Sequence, residues 1–171
     1  FTNCEISISP ICCIIENNKP VFIGVKDALK HSTNHTVDLL TQELEIQLAE
    51  LEEQWHFSSL ERIFIENRIY RDIEEEETWQ GVIDAIDKGL KPHTKHLKRA
   101  VTEEDIVRLT EIRIKKISKF DIDKAKLFIE GLEEKIALVK KDLANIIDYT
   151  INYFKNLKDK FGKGKERKTD I

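Results

Sequence analysis

The 171-residue sequence predicts a mainly α-helical protein: two long helices, a small helical head between them, and a β-hairpin before them. Charged residues make up 35% of the chain, with only 6 Gly and 3 Pro, which favours long solvated helices over sandwiches, barrels or disordered chains. Apolar residues also recur every three or four positions over two long stretches. No run of about 18 uncharged apolar residues occurs, so we expect no membrane span and no membrane partner.

The methionine and cysteine content and the first residues of the sequence bear on its expected origin. The sequence contains no Met, so we expect it to be a piece of a longer protein. It begins without the basic stretch of a signal peptide. The cysteines Cys4, Cys12 and Cys13 all precede residue 14, and we interpret them as small buried strand residues of a protein in a reducing cytoplasm.

The first predicted element is a β-hairpin. Residues 6–15 and 21–25 are rich in β-branched side chains and flank the Asn-rich turn Glu16-Asn17-Asn18-Lys19-Pro20. Two strands alone are marginally stable in water. We therefore expect the hairpin to belong to a sheet whose other strands lie outside this sequence.

The first long helix is predicted over residues 26–56, with a bend expected at Ser58 and Ser59. Its apolar side chains form one stripe, spaced three or four residues apart: Val37, Leu40, Leu44, Leu48, Leu51 and Trp55. A stripe of this kind is buried against a partner, and the natural partner is the second long helix, running antiparallel.

The second long helix is predicted over residues 121–161, where five heptads are interrupted only by Thr150. Asp121 is expected to cap its start and Phe161-Gly162 to mark its end. About 40 residues at 1.5 Å rise span roughly 60 Å. The a and d positions, expected to be core, are Ile122, Ala125, Ile129, Leu132, Ile136, Val139, Leu143, Ile146, Tyr153 and Leu157.

Residues 57–120 between the two helices are expected to pack as a globular head of short helices. One of these helices should start at Thr102-Glu103-Glu104-Asp105. After this start, five residues are predicted to form the apolar face of the helix: Ile106, Leu109, Ile112, Ile114 and Ile117.

Charge is unevenly distributed along the chain. Residues 41–80 have a net charge of −9, whereas residues 91–126 and 155–168 each have +5. The basic tail is the best candidate for a nucleic-acid contact, and its alternative is a merely solvated end. The candidate DNA-contacting residues are Lys163, Lys165, Arg167 and Lys168.

No pattern in the chain predicts a catalytic, cofactor-binding or metal site. The glycines are scattered rather than grouped in a phosphate loop. His31 and His35 have helical spacing but no third ligand at the spacing of a zinc enzyme. The run Glu74–Glu77 is interpreted as a solvated turn or helix start. Tyr70, Tyr149 and Tyr153 can in principle act as nucleophiles. Tyr153 lies on the apolar stripe of the second long helix and Tyr149 lies beside it, so core or flank positions are predicted for these two.

Three segments, in order, resemble the A subunits of bacterial DNA gyrase and topoisomerase IV, and the closest likeness is to the Bacteroidetes type of topoisomerase IV. Residues 14–29 resemble the family's "ALVDGQPKLLNLKDIL" segment. Residues 103–120 resemble its "ILDLRLQRLTGLE" helix, and residues 161–171 resemble its "FGDxRRTEI" ending. Together with the heptads between them, the three segments cover nearly the whole chain.

The resemblance implies a division of the chain. Residues 1–25 would be a hairpin remnant of the tower domain, and 26–56 the first helix of a coiled-coil arm. Residues 57–120 would form the exit-gate head, 121–161 the return helix, and 162–171 a basic tail re-entering the tower. In type IIA topoisomerases two such heads meet across a twofold axis and form the last barrier that a transported DNA duplex crosses.

The resemblance also implies the partners of the parent enzyme. These are a second A subunit, the DNA in transit, and a B subunit that hydrolyses ATP, and the parent enzyme is expected to use Mg²⁺. The winged-helix region with the DNA-cleaving tyrosine is not part of this sequence, so the fragment is expected to be inactive alone. Gyrase and topoisomerase IV are not distinguished.

Two other functions remain open at this point. One is a non-enzymatic coiled-coil adaptor, a hypothesis that the sequence flanking the chain would decide. A helical metal-binding module based on His31 and His35 is the third hypothesis, and elemental analysis would test it.

Overall fold

The structure is a computed structural model that describes residues 9, 11–73, 76–113, 115, 117 and 119–166. It is mainly α-helical with one small antiparallel hairpin, which confirms the predicted fold class. The elements are β1 (Cys12–Glu16), β2 (Lys19–Ile23), α1 (Val25–Glu66), α2 (Trp79–Leu90), α3 (Glu103–Thr110), α4 (Ile122–Ala144) and α5 (Ile146–Phe161), with short 3₁₀ turns at Ile69–Arg71 and Lys91–His96.

The chain forms two compact units. The first contains residues 1–44 and 143–171, and the second contains residues 45–142. The helix α1 begins in the first unit and ends in the second. Among the described helices, none combines the length and apolarity that crossing a bilayer requires.

In the first unit, the hairpin is closed by a two-residue turn. Asn17 and Asn18 have φ angles of 49° and 60°, the left-handed conformation that Asn tolerates and that a tight hairpin turn requires. The strands pair from Cys12 opposite Ile23 to Glu16 opposite Lys19. The hairpin is therefore confirmed, although α1 already begins at Val25 and the burial expected of the cysteines is wrong at Cys13, which is exposed. Cys4 and the predicted strand residues 6–8 and 10 lie outside the described residues.

The helix α1 is 42 residues long and continues past Ser58 and Ser59 to Glu66. Its predicted stripe is buried or half-buried throughout. The helix extends beyond the boundary expected at residue 56 because Leu60 and Phe64 continue the apolar face into the core of the second unit. The backbone then turns away at Arg68, whose φ is 56°.

The core of the second unit is built by α1, α2 and α3. Thr78 caps α2, accepting a hydrogen bond from the Gly81 backbone N at 3.1 Å. Thr102 and Asp105 form a capping box that starts α3, as the sequence predicted. The buried side chains of this core are Leu60, Ile63, Phe64, Ile65, Ile69, Ile83, Ile86, Leu90, Ile106 and Leu109.

In the same unit, α4 lies antiparallel to the C-terminal half of α1. Trp55 donates a hydrogen bond from Nε1 to Glu133 Oε1 at 2.9 Å, and Lys140 Nζ lies 2.8 Å from Glu52 Oε1. Glu52 thus pairs with the later residue of α4 and Trp55 with the earlier one, as an antiparallel arrangement requires. The apolar seam between them contains Trp55, Ile129, Leu132 and Ile136, flanked by Leu48 and Leu51.

The predicted second helix is two helices in the structure. Asp121 does cap its start, accepting from the Lys124 backbone N at 3.2 Å, and its end at Phe161-Gly162 is also as predicted. Between them the helix is interrupted at Asn145, with φ −121° and ψ 43°. The expectation of a buried stripe is wrong at Ile122, which is 37% exposed, and beyond the break at Tyr153 and Leu157, which are 41% and 42% exposed.

Candidate functional site

An ionic network in the second unit joins α1 to α3, and the buried Asp105 lies at its centre. The Asp105 side chain is 2% exposed. It accepts two hydrogen bonds from the Arg99 guanidinium, at 2.7 Å to Oδ2 and 2.9 Å to Oδ1, a bidentate geometry. It also accepts from the backbone N and the hydroxyl of Thr102, both at 3.0 Å. The helix cap and the ion pair therefore share one carboxylate.

The network reaches α1 through Glu53. Arg99 Nη2 donates to Glu53 Oε2 at 2.8 Å, and Arg108 Nη1 donates to Glu53 Oε1 at 2.7 Å. The Arg108 guanidinium also lies over the Phe57 ring, 4.1 Å from its centroid. Glu53 thus accepts hydrogen bonds from both arginines. Through Glu53 and Phe57, these contacts connect α3 to about one turn of α1.

His56 completes the network from α1. Its ring is almost fully buried, and Nε2 lies 3.3 Å from Asp105 Oδ2. The other ring nitrogen, Nδ1, has no hydrogen-bond partner within the described part of the chain. Burial and the nearby Arg99 charge lower the pKa of His56, and these effects outweigh the opposing attraction of Asp105.

The carboxylates of the network are held in their charged form. Burial raises the pKa of Asp105, but the hydrogen bonds from Arg99 and Thr102 outweigh it and leave that pKa well below its usual value. The hydrogen bonds from Arg99 and Arg108 lower the pKa of Glu53. The Asp105 hydrogen bond in turn raises the pKa of Arg99. Near neutral pH these groups act as fixed charges that lock the joint between α1 and α3.

No sequence pattern points to this network. In the sequence, Asp105 is recognisable only as part of a helix start. Arg99 and Arg108 lie near it in the chain, but Glu53 and His56 lie about fifty residues away, so their proximity depends on the packing of α3 against α1.

The predicted DNA-contacting residues follow α5 in the chain. Lys163 and Lys165 are exposed in the turn that follows the helix, whereas Arg167 and Lys168 lie outside the described residues. The turn is closed by a hydrogen bond from the Lys165 backbone N to Gly162 O at 3.0 Å. It places both lysines next to the basic last turn of α5, which contributes Lys158 and Lys160.

The histidines considered as metal ligands are exposed. The rings of His31 and His35 stack with centroids 6.5 Å apart on α1. Within the described residues, no group of three or more His, Cys, Asp or Glu side chains is placed to hold a metal ion. Of the three tyrosines, Tyr70 and Tyr149 are half-buried and Tyr153 is exposed.

Comparison with known proteins gives one consistent family. The chain is 34% identical over all 171 residues to the A subunit of DNA topoisomerase 4 from Borreliella burgdorferi, and it spans 27% of that relative's length. The family model for the A subunit of DNA gyrase/topoisomerase IV matches residues 1–155. Because that match covers most of the sequence, the chain belongs to the family of DNA gyrase/topoisomerase IV A subunits.

Proposed function

We propose that this chain is the exit-gate and coiled-coil region of a type IIA topoisomerase A subunit. The parent enzyme would pass one DNA duplex through a transient double-strand break in another, using Mg²⁺ and ATP that a B subunit hydrolyses. In this proposal residues 57–120 form the gate head, 26–56 and 121–161 the arm, and 1–25 and 162–171 the connection to the tower. The enzyme would work in the cytoplasm.

The observation that carries the proposal is the joint between α1 and the head. A gate that transmits movement needs a stiff connection between its lever and its contact surface. Here α1 runs without interruption into the head core, and the Glu53–Arg99–Asp105 network locks α3 onto the same helix. The second unit can therefore move as one body rather than bend at the base of the head.

The first test is the oligomeric state of the 171-residue chain. We expect a symmetric dimer through the head, with a contact of about 1,500 Å² in total, the size of a standard specific interface. Sedimentation equilibrium at tens of micromolar would measure it. A monomer at these concentrations would contradict the proposal.

The second test uses the parent enzyme with cysteine pairs placed across the head twofold, after replacement of Cys4, Cys12 and Cys13. Oxidation should hold the exit closed while DNA cleavage continues. A single strand passage can then occur, but the passed duplex cannot leave, so multiple turnover should stop and resume on reduction. Relaxation at the uncross-linked rate by the fully cross-linked enzyme would rule out an exit-gate role.

A further inference from the structure

The second unit has an open groove of about 640 Å³ between the C-terminal part of α1 and the start of α4. Its apolar lining comes mainly from Phe120, Ala125 and Phe128. Phe128 is 55% exposed, a large apolar ring with little of its surface covered in a single copy. Exposed apolar surface of this kind at a concave site is typical of an interaction surface.

The rim of the groove is basic. Arg113, Lys115, Lys119 and Lys124 line it, against the acidic Glu61 and Asp121. Lys124 is paired with Asp121 at 3.1 Å. Arg113 and Lys119 make no ion pair among the residues that the structure describes. The groove therefore favours an occupant with a large apolar side chain and neighbouring carboxylates.

An element of the same unit has this chemistry. Trp79, the first residue of α2, is 57% exposed and follows the exposed acidic residues Glu76 and Glu77. Exposed tryptophans beside charged residues are typical anchors of protein interfaces, because the indole buries a large rigid surface. Thr78 caps α2 and so places Trp79 in the first turn of the helix.

The indole and the groove lie close together on the unit. Trp79 borders a small hollow that Ile117 also lines, while Lys115 and Lys119, two residues to either side of Ile117, line the groove. A contact between two copies across a twofold axis must be self-complementary, with each feature of one copy meeting its counterpart on the other. An exposed indole that follows two acidic residues, beside a basic apolar groove, meets that requirement, because the twofold makes both contacts at once.

We propose that the groove receives Trp79 of a second copy, with Glu76 and Glu77 of that copy against Arg113 and Lys119. This assignment rests on the proposed function, since it identifies the surface through which two heads meet. The two buried indoles would each remove about 150–250 Å² from water at the centre of the contact. The ion pairs around them would form its rim and set its register.

Sedimentation equilibrium of the 171-residue chain tests this with Trp79→Ala, Lys119→Glu, Glu77→Lys and the double variant Lys119→Glu/Glu77→Lys. We expect Trp79→Ala to raise the dimer Kd at least tenfold. Each single charge reversal should raise it several-fold, and the double variant should return it to within about threefold of the wild-type value. Ile46→Ala, at a side chain 62% exposed elsewhere on the unit, is the matched control and should leave the Kd unchanged.

Circular dichroism at each concentration checks that the variants are folded, and the charge pair keeps the test decisive if Trp79→Ala unfolds. A wild-type dimer that is unaffected by Trp79→Ala and by both charge reversals would overturn this docking and leave the exit-gate proposal standing. A wild-type chain that stays monomeric at tens of micromolar would overturn both.

Discussion

At His56, burial and the neighbouring positive charge of Arg99 both lower the pKa of the imidazole. The groups that face the ring are Asp105, Arg99 and Glu53. Because its folded pKa lies below the unfolded value of about 6.5, the unfolded chain takes up the proton first as the pH falls. The contribution of His56 to stability is therefore complete above the unfolded pKa and is lost progressively as the pH falls toward the folded one.

We predict that the free energy of unfolding, measured by urea titration, decreases from pH 7 to pH 5, and that His56→Gln flattens this slope. Glutamine keeps an N–H that can reach Asp105 but does not titrate. His93→Gln, at an exposed position in the 3₁₀ turn after α2, should keep the wild-type slope. An unchanged slope in His56→Gln would contradict the assignment.

Asp105 is the residue on which the network depends most. Asp105→Asn removes the charge while keeping the shape, which leaves Arg99 without its bidentate partner. Removing one partner of a buried pair costs about 3–5 kcal/mol, and because Arg99 is partly exposed we expect about 2–4 kcal/mol. Thermal or urea unfolding measures the loss. Glu104→Gln, exposed on the same helix turn, is the control, and equal effects of the two changes would refute the network's role.

At the scale of the helices, two glycines are in opposite situations. A Cβ at Gly131 in α4 would have no neighbour within 4 Å, whereas one at Gly89 in α2 would lie 2.8 Å from Cγ2 of the buried Ile69. Glycine inside a helix is less stable than alanine by roughly 0.5–1 kcal/mol. The first glycine is therefore a weakness of its helix, and the second is required by close packing.

We predict that Gly131→Ala raises the free energy of unfolding by about 0.5–1 kcal/mol. Gly89→Ala should lower it by about 1–3 kcal/mol, because overpacking a core outweighs the helix propensity gained. Urea titration of the two variants side by side measures both. If both variants change the free energy of unfolding with the same sign, the close packing of α2 against the 3₁₀ turn at Ile69–Arg71 does not determine the effect at Gly89.

At the scale of the whole molecule, charge is separated along the chain, with a net of −9 in residues 41–80 and +5 in residues 155–168. In the described part of the tail, Lys163 and Lys165 are exposed at the end of α5. Each lysine that contacts a phosphate releases a counterion and steepens the salt dependence of DNA binding.

We predict that Lys163→Ala/Lys165→Ala in the parent enzyme weakens duplex binding and lowers the slope of log K against log salt by about 1 for each phosphate-binding lysine removed. Fluorescence anisotropy over a salt series measures both quantities. Lys88→Ala/Lys95→Ala removes the same charge from exposed positions in the second unit. If that control reduces the slope equally, the effect is one of net charge and not of the tail.

Much of the fold is determined by the sequence alone, because the signals are local. The apolar stripe predicts α1, Asn17-Asn18 predicts the hairpin turn, and Thr102 with Asp105 predicts the start of α3. Each depends on hydrogen bonds or side-chain spacing within a few residues. Linear motifs in the sequence also indicate the family, and the family model for DNA gyrase/topoisomerase IV A subunits matches residues 1–155.

Other features were decided only by the tertiary structure. The heptad pattern runs unchanged through Asn145, so the break there is not visible in it, and Tyr153 is exposed although it occupies a core position of that pattern. The network around Asp105 joins residues about fifty positions apart. Its carboxylates stay charged because the packing of α3 on α1 brings Arg99 between Asp105 and Glu53, and no local pattern encodes such a long-range contact.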